Sequence, residues 1–272
     1  MPISPETTIV FLHLPKAAGS TLGGVFLRQY EPGVVHAIEE PIWENLDRFR
    51  ALPEPRRHAV RLLMGHMPFG LHEWLRPPVC YVTMLREPLG RIASHFHYVR
   101  ERPSHELFER LRPGMTVGDY VRERTSLELD NGQVRLLSAD PFVEFGSVTR
   151  DHLEAAKRNL GEHFEVVGVS ERFDESLLVM REALGWRRRI LYVERNVTGA
   201  RRHPLAPEDA EAVLAANRLD SELHAFAGEL LAARTAGREA ELGRFRAANR
   251  AYGGLARAWL AARGRPGTAR GS

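Results

Sequence analysis

Short apolar runs alternate with helical patterns along most of this chain, and few folds accommodate that order. The runs are rich in β-branched residues and are bounded by turn signals, which predicts buried strands. They lie at residues 7–13, 59–64, 79–85, 164–169 and 190–193. Because strands that alternate with helices pair mostly in parallel, the sequence predicts an α/β fold, a mostly parallel sheet flanked by helices.

Helical patterns fill the segments between the predicted strands and continue toward the C-terminus. Pro88 suits the first turn of a helix, and Ile92 and Phe96 then recur on one face. Further helical segments are predicted over most of 104–138, over 149–162 and 172–185, and over the alanine-rich region 207–262. We expect a single domain over residues 1–262 with a helical C-terminal region, and a disordered tail at 263–272.

Composition places the chain among ordinary globular proteins. Hydrophobic residues make up 43% of the 272 residues and charged residues 27%. No apolar run approaches the ~18–20 residues that a spanning helix needs, so we expect no membrane span. Cys80 is the only cysteine, which excludes an intrachain disulfide, and the N-terminus lacks the pattern of a signal peptide. These features predict a cytoplasmic protein.

The charge distribution argues against nucleic-acid binding. Lys and Arg number 38 and Asp and Glu number 35, so the net charge is only +3. The basic residues are interleaved with glutamates and do not cluster with aromatic residues, as a nucleic-acid site requires. Only Lys16 and Lys157 are lysines, and the other 36 basic residues are arginines. Lys16 lies in the first of two motifs that carry chemistry.

The first motif follows the first predicted strand and has the chemistry of an anion-binding loop. It reads HLPKAAGSTL, with one lysine in a loop of small residues and two hydroxyl residues where a helix begins. Small residues let the backbone approach a ligand, and the N–H groups at a helix N-terminus favour an anion. The residues predicted to bind an anion are Lys16, Ala17, Ala18, Gly19, Ser20 and Thr21.

This loop differs from the Walker A sequence of P-loop nucleoside triphosphatases. That motif places lysine directly after its second glycine, whereas Lys16 precedes Gly19 by three residues. A triphosphatase also needs an acidic residue to hold magnesium, and we identify none at the end of a predicted strand. A P-loop-like kinase or triphosphatase therefore stays as an alternative.

The second motif, LREPLGRIASHF, follows the third predicted strand. Arg86 comes directly after that strand, where open α/β sheets bind ligands, and its planar guanidinium suits a phosphate. Ser94 lies eight residues later on the next helix, in a polar stripe with Arg91 and His95. The motif therefore predicts a second point at which a phosphate binds.

Together, the two motifs resemble the signature of sulfotransferases that use 3′-phosphoadenosine-5′-phosphosulfate (PAPS). The branch that they resemble most includes heparan sulfate 2-O-sulfotransferases and many bacterial relatives, and weaker similarity extends over residues 7–235. The resemblance implies a P-loop-like α/β fold. It also implies that the first motif, Lys16 to Thr21, binds the 5′-phosphosulfate, and that Arg86 and Ser94 bind the 3′-phosphate.

The resemblance further implies a reaction, the transfer of a sulfuryl group from PAPS to a hydroxyl of a glycan or another small molecule, without a metal. Lys16 is expected to stabilise the leaving phosphate. His66 is the expected general base, because it follows a strand and imidazole titrates near neutrality. Relatives carry a His-Gly-His triplet here, whereas this chain has Met64, Gly65 and His66, so only the second histidine is present.

Other residues and functions stay open at the level of sequence. Glu39 and Glu40 are alternative bases, because some sulfotransferases use a glutamate. Arg195, Asn196 and Thr198 follow the last predicted strand and are expected to close over the nucleotide. Besides a kinase or triphosphatase, the remaining alternative is a nucleotide-binding relative without catalytic activity.

Overall fold

The central element of the fold is a parallel sheet. The computed structural model describes residues 2–193 and 205–262, with side chains described up to residue 256. The strands in these residues are β1 (Thr8–Leu12), β2 (Val35–Ile38), β3 (Leu62–Gly65), β4 (Val79–Leu85) and β5 (Phe164–Val169). They pair in parallel throughout, in the order β2-β3-β1-β4-β5.

Helices flank the sheet and form most of the C-terminal region. Those within the described residues are α1 (Gly19–Gln29), α2 (Ile42–Ala51), α3 (Glu54–His58), α4 (Pro88–Arg100), α5 (Val117–Arg122), α6 (Gly132–Leu137), α7 (Arg150–His163), α8 (Phe173–Ala183), α9 (Pro207–Ala216), α10 (Arg218–Thr235) and α11 (Glu239–Ala262). Helices α8 and α10 pack against β5, and α11 packs against α8. The predicted α/β fold with a helical C-terminal region is therefore confirmed.

Strand β1 is buried along its whole length and lies between β3 and β4. Because both faces of a parallel sheet are covered, such a strand has an uninterrupted apolar sequence rather than an alternating one. Phe11 of β1 stacks on Phe26 of α1, with ring centroids 4.7 Å apart. The helix that carries the first motif is thereby fixed to the sheet.

A second, smaller hydrophobic core lies between helices α4, α5 and α9. Its buried residues include Ile92 and Phe96 of α4, Tyr120 and Val121 of α5, and Val213 of α9. This core fixes one face of α4 against the helical segment that follows it. The other side of α4 is left to face the carboxyl edge of the sheet.

Two strands differ from the sequence-based expectation. β2 escaped prediction because it has only four residues, lies at the sheet edge and has three residues that are not fully buried. The predicted strand at 190–193 is wrong, since those residues form no strand in the described structure. Ile190 is buried by packing, and the backbone N–H of Tyr192 donates to Asn249 Oδ1 (2.8 Å) instead of to a neighbouring strand.

The segment 104–138 is less helical than its sequence suggests. It forms α5 and α6, two single 3-10 turns at Phe108–Arg110 and Leu127–Leu129, and the loops between them. The predicted tail at 263–272 lies outside the described residues. Within the part of the chain that is described, no helix is both long and apolar enough to cross a membrane.

The strand order opens a crevice at the carboxyl edge of the sheet, between β1 and β4. The chain leaves β1 toward β2 on one side, whereas it leaves β4 toward β5 on the other. Loops that diverge in this way leave a gap, and open α/β sheets bind their ligands there. Both sequence motifs lie at this gap, because one follows β1 and the other follows β4.

Candidate active site

A cleft of about 1010 Å³ covers the carboxyl edge of the sheet. Residues that follow every strand line it, and in the order of the strands across the sheet they include Glu40 (β2), His66 (β3), Lys16 (β1), Arg86 (β4) and Ser170 (β5). These residues therefore lie along the cleft in the order of the strands. The imidazole lies toward the β2 end, the lysine loop lies at the centre, and the arginine lies toward the β5 end.

The loop between β1 and α1 has the backbone shape of an anion-binding nest. Lys16 and Ala18 have left-handed backbone angles, with φ of 64° and 62°. Left-handed residues beside right-handed ones turn successive N–H groups toward one point, which favours an anion. Among the described residues, no side chain caps α1 at Ala18, so a bound anion is able to serve as the cap.

Gly19 is required where the loop enters α1, because the ring of His13 occupies the space beside it. A Cβ at Gly19 would lie only 1.6 Å from His13 Nε2. Burial lowers the pKa of His13 well below its usual range, and the charges of His66 and Lys16 act in the same direction. The His13 ring is therefore neutral and packs against the loop.

Lys16 lies over an aromatic ring. Its Nζ is 3.8 Å from the centroid of the Tyr98 ring, and the Arg102 Cζ is 3.7 Å from the same centroid. Burial lowers the pKa of Lys16 to about 8, and the positive charges of Arg102 and Arg86 contribute to the shift. Additional negative charge in the cleft would favour the protonated ammonium.

Arg86 is fixed through both its backbone and its side chain. Its backbone N–H donates to Gln133 Oε1 (3.0 Å), and its backbone oxygen accepts from Gln133 Nε2 (2.9 Å). Its Nη1 donates to the backbone oxygen of Lys16 (3.0 Å). This last hydrogen bond joins the two sequence motifs, which are 70 residues apart.

Gln133 is itself held by a buried carboxylate on α10. Asp220 accepts hydrogen bonds from the Gln133 backbone N–H (3.1 Å), from Gln133 Nε2 (3.3 Å) and from the Val134 N–H (2.9 Å). Arg91 Nη2 lies 3.4 Å from the same carboxylate. Burial raises the pKa of Asp220, although these partners oppose the shift. A polar network inside the protein therefore supports the position of Arg86.

The other residues of the two motifs divide between cleft and core. Ser94, buried on α4, lines the cleft together with Ser20 and Thr21 of α1. Ala17 is buried in the hydrophobic core, so it offers only its backbone to a ligand. Glu87 caps the N-terminus of α4 with its own carboxylate, so α4 has no open N-terminus for an anion, whereas Arg86 and the hydroxyls are side chains of the two motifs that are able to donate to one.

His66 lies beside His13 at the end of β3, with ring centroids 4.2 Å apart. Its Nδ1 is 2.7 Å from the backbone oxygen of His13. Because a carbonyl oxygen only accepts, Nδ1 carries the hydrogen and donates it. In the neutral form of the ring, the other nitrogen, Nε2, then holds the lone pair that a general base requires.

Several cleft residues were not singled out from the sequence. Glu128, in the turn before α6, has its Oε2 3.2 Å from Nε2 of His95. Phe173 and Tyr192 line the β5 end, with ring centroids 4.7 Å apart. They come from segments distant in sequence and have no local motif around them, so packing alone brings them to the cleft.

The remaining sequence-based candidates have different positions. Of the two alternative bases, Glu40 lines the cleft, whereas Glu39 is exposed and is not among the residues that line it. Arg195, Asn196 and Thr198 lie outside the described residues. Across the described ranges, no three His, Cys, Asp or Glu side chains converge as metal ligands.

The parallel sheet, the nest after β1 and the arginine after β4 define an anion-binding α/β protein of the P-loop-like kind. A model of the Galactose-3-O-sulfotransferase family matches residues 2–256, and the chain belongs to this family. The sulfotransferase resemblance drawn from the two motifs is thus confirmed. The branch that matches is named for galactose 3-O-sulfation rather than for heparan sulfate 2-O-sulfation.

Individual relatives agree with the family. Galactose-3-O-sulfotransferase 3 from Mus musculus is 27% identical over 249 residues, which cover 82% of this chain and 56% of the mouse protein. Galactosylceramide sulfotransferase from Homo sapiens is 28% identical over 245 residues, covering 81% and 56%. Among solved structures, mouse sulfotransferase SULT7A1 complexed with PAP is 17% identical, with a TM-score of 0.40 and coverage of 69% and 62%. The chain spans about half the length of the relatives it matches.

Proposed function

We propose that this protein transfers a sulfuryl group from PAPS to a hydroxyl of a glycan-type acceptor. The observation that carries the proposal is the hydrogen bond from Arg86 Nη1 to the backbone oxygen of Lys16, which joins the two motifs at the crevice. Family membership supports it. Because the relatives are named for galactose and galactosylceramide, we propose a galactose-type hydroxyl as the acceptor.

The residues around the crevice suit the two anionic ends of PAPS. The 5′-phosphosulfate suits the nest after β1, where Ser20 and Thr21 add hydroxyls to the backbone N–H groups. The 3′-phosphate suits Arg86 and Ser94, because a planar guanidinium binds a phosphate through two N–H groups. When bound, PAPS supplies an electrophilic sulfuryl group attached to a phosphate leaving group.

The aromatic pair Phe173 and Tyr192 extends the nucleotide end of the cleft beyond Arg86. We assign the adenine to this pair, because stacking of a base on an aromatic ring contributes about 1–3 kcal/mol. Tyr192 is oriented by its hydroxyl, which donates to Asp174 (2.8 Å), and by its backbone N–H, which donates to Asn249.

His66 is the proposed general base. Its Nδ1–H is anchored on the His13 carbonyl, so Nε2 accepts the proton of the acceptor hydroxyl as that oxygen attacks. The strand order supports this assignment, because His66 follows β3 and lies next to the Lys16 loop on the side away from Arg86. An acceptor that enters from the β2 end reaches His66 before it reaches the nucleotide end.

Lys16 is the proposed stabiliser of the leaving phosphate. With a pKa of about 8, its ammonium is protonated on most molecules at neutral pH. Charge that develops on the leaving phosphate favours this protonated form further, so Lys16 stabilises the transition state more than the ground state. No general acid is needed on the leaving group in this scheme.

We keep the predicted cytoplasmic location as part of the proposal, and cell fractionation tests it.

Calorimetric titration tests the proposal. The ligands are adenosine 3′,5′-bisphosphate (PAP), AMP and ATP, each with and without magnesium. We expect PAP to bind without magnesium and at least about tenfold more tightly than AMP, because each tenfold corresponds to about 1.4 kcal/mol. Transfer from labelled PAPS to methyl β-galactoside then tests catalysis.

Each opposing outcome has a defined meaning. A magnesium-dependent preference for ATP would overturn the proposal in favour of a kinase or triphosphatase. PAP binding without transfer to any hydroxyl acceptor would favour the non-catalytic relative. Failure to bind PAP would remove the nucleotide assignment itself.

A further inference from the structure

The cleft contains a carboxylate, Glu128, to which the chemistry above gives no role. Glu128 belongs to the 3-10 turn Leu127–Leu129, between α5 and α6, and it lines the same cleft as His66 and Lys16. It therefore approaches the reaction centre from the helical segment above the sheet, whereas those two residues approach from the sheet edge.

The backbone of Glu128 is held on both sides. Its N–H donates to Ser126 Oγ (3.2 Å), and its carbonyl oxygen accepts from Arg91 Nη2 (2.7 Å). Arg91 is almost completely buried on α4 and also contacts the Asp220 carboxylate. The backbone of Glu128 is thus held by the same buried polar network that supports Arg86.

The two carboxylate oxygens of Glu128 have different environments. Oε2 is buried and lies 3.2 Å from Nε2 of His95, which is only 5% exposed. His95 is oriented in turn by Tyr120, whose hydroxyl is 3.1 Å from Nδ1. The Glu128 side chain is nevertheless 38% exposed. Because Oε2 is buried, Oε1 is the oxygen that faces the cleft.

The Glu128 carboxylate is ionised at neutral pH. Burial raises its pKa, but the imidazole of His95 beside Oε2 outweighs this effect, with contributions from Arg91 and His66, and lowers the pKa to about 2. The charge of Glu128 in turn raises the pKa of Lys16. A carboxylate with so low a pKa is a poor proton acceptor, so it does not replace His66 as the base. It is a strong acceptor of hydrogen bonds.

We propose that Glu128 Oε1 binds the acceptor, by accepting a hydrogen bond from a hydroxyl adjacent to the one that reacts. The nucleotide donor is an anion, which a carboxylate repels, so the partner of Oε1 is the neutral acceptor. The acceptor is then a sugar with neighbouring hydroxyls and without an anionic group beside the reacting one. This inference rests on the proposed function and deepens it by naming an acceptor-binding residue.

The Glu128→Gln substitution tests the proposal, because it preserves size and reverses the chemistry at the cleft. With the amide oxygen in the place of Oε2, beside His95 Nε2, the amide NH₂ group, which is a donor, would face the acceptor hydroxyl. We measure initial rates with labelled PAPS, methyl β-galactoside and its 2-deoxy and 4-deoxy analogues. PAP affinity is measured in parallel by calorimetry. Glu101→Gln is the matched control, because Glu101 also raises the pKa of Lys16 but does not line the cleft.

We expect Glu128→Gln to lower kcat/KM for methyl β-galactoside about 10- to 150-fold, the range of a charge-assisted hydrogen bond. Near pH 6.5, where Lys16 stays protonated, PAP affinity should not fall by more than about twofold in the variant, and Glu101→Gln should resemble the wild type. With the wild type, kcat/KM for one of the two deoxy analogues should be lower than kcat/KM for methyl β-galactoside by a similar factor. With Glu128→Gln, the same analogue should lower kcat/KM little further, because the substitution has already removed the contact that the missing hydroxyl made.

Two results with the variant would overturn the assignment of Glu128. One is that, for both deoxy analogues, the loss in kcat/KM caused by the missing hydroxyl is as large in Glu128→Gln as in the wild type. The other is a fall in PAP affinity parallel to the fall in rate. A wild-type protein that binds PAP but uses none of these galactosides would also overturn it, while leaving the nucleotide assignment standing. A wild-type protein that does not bind PAP would instead overturn the proposed function on which this inference depends.

Discussion

Gln133 binds both polar backbone groups of Arg86 through its side-chain amide, at 3.0 and 2.9 Å. The two residues are 47 positions apart in sequence, and Gln133 is almost completely buried. The amide takes the place of a neighbouring strand at the point where β4 ends. It therefore fixes the direction in which Arg86 leaves the sheet, and Asp220 on α10 fixes the amide.

Replacing Gln133 should weaken the selection for a 3′-phosphate. Gln133→Ala removes both contacts to the Arg86 backbone, so the direction of the guanidinium is less firmly set, although Nη1 still donates to the Lys16 backbone oxygen. We expect PAP affinity to fall about tenfold or more and AMP affinity to change less than about twofold. Calorimetric titration with both nucleotides measures the ratio of the two affinities.

Gln29→Ala is the matched control for this variant. The amide of Gln29 also binds the backbone N–H and backbone oxygen of one residue, Arg188, but it does so outside the cleft. This control should preserve the ratio. Equal weakening of PAP and AMP by Gln133→Ala would mean that Gln133 supports the fold in general and does not position Arg86.

PAP affinity should decrease as the pH rises through about 8, because Lys16 loses its proton there in the free protein. The sign follows from the charge: only the protonated ammonium attracts the anion, so binding at higher pH must take up a proton. Lys16→Arg stays charged and should show little change from about pH 7 to pH 9. Lys16→Met should bind more weakly and also lose the dependence on pH. Calorimetry at several pH values measures each profile.

Lys157→Met is the control for the pH profile, since Lys157 lies on α7 in an ion pair with Glu154 and away from the cleft. It should keep the wild-type profile. A flat wild-type profile, or the same slope in Lys16→Met, would contradict the assignment of this titration to Lys16.

Gly19→Ala should damage the site through the His13 ring. A Cβ would lie 1.6 Å from His13 Nε2, so the ring must move, and the His13 carbonyl also anchors His66. We expect a loss of about 1–3 kcal/mol in the free energy of unfolding, as for overpacking elsewhere. We also expect at least about tenfold weaker PAP binding. Urea denaturation and calorimetry measure the two effects.

Gly161→Ala on α7 is the matched control, because nothing lies within 4 Å of the added Cβ. Alanine is favoured over glycine inside a helix by about 0.5–1 kcal/mol, so this variant should be neutral or stabilising. If Gly19→Ala behaves like Gly161→Ala, the close approach of His13 has no consequence for the site.

His66→Asn should separate catalysis from nucleotide binding. The asparagine amide is able to donate to the His13 carbonyl, as Nδ1 does, but it offers no basic nitrogen. We expect kcat to fall about 10²- to 10⁴-fold, the usual contribution of a general base, with PAP affinity within about twofold of the wild type. A variant that retains its kcat would shift the role of base to Glu40, which lines the same end of the cleft, and Glu40→Gln would then test that residue.

The parts of the fold that were predictable are those set by local sequence. Strands β1 and β4 are apolar along their length because both faces are covered, and each is followed directly by a motif with its own chemistry. β2 has no such signal, because three of its four residues are partly exposed at the edge of the sheet. The segment 190–193 has the apolar composition of a strand but uses it for packing, and Asn249 satisfies its backbone.

The residues of the candidate site also fall into those that local sequence predicts and those that it does not. Lys16, His66 and Arg86 follow strands, so a prediction of parallel strands already brings them to one edge. Gln133 and Glu128 lie on the segment 101–137, whose position depends on how its short helices pack against α4 and α10. That packing is a long-range property, and no residue spacing along the chain encodes it.

β2 is the outermost strand on one side of the sheet, so the loop after it has no strand beyond it. A residue inserted between Ile38 and Ile42 would enlarge the end of the cleft where Glu40 lies, while the pairing of β1 with β3 and β4 would keep its register. Loop growth at this margin would therefore alter the Glu40 end of the cleft and leave the strands at the centre of the sheet in place.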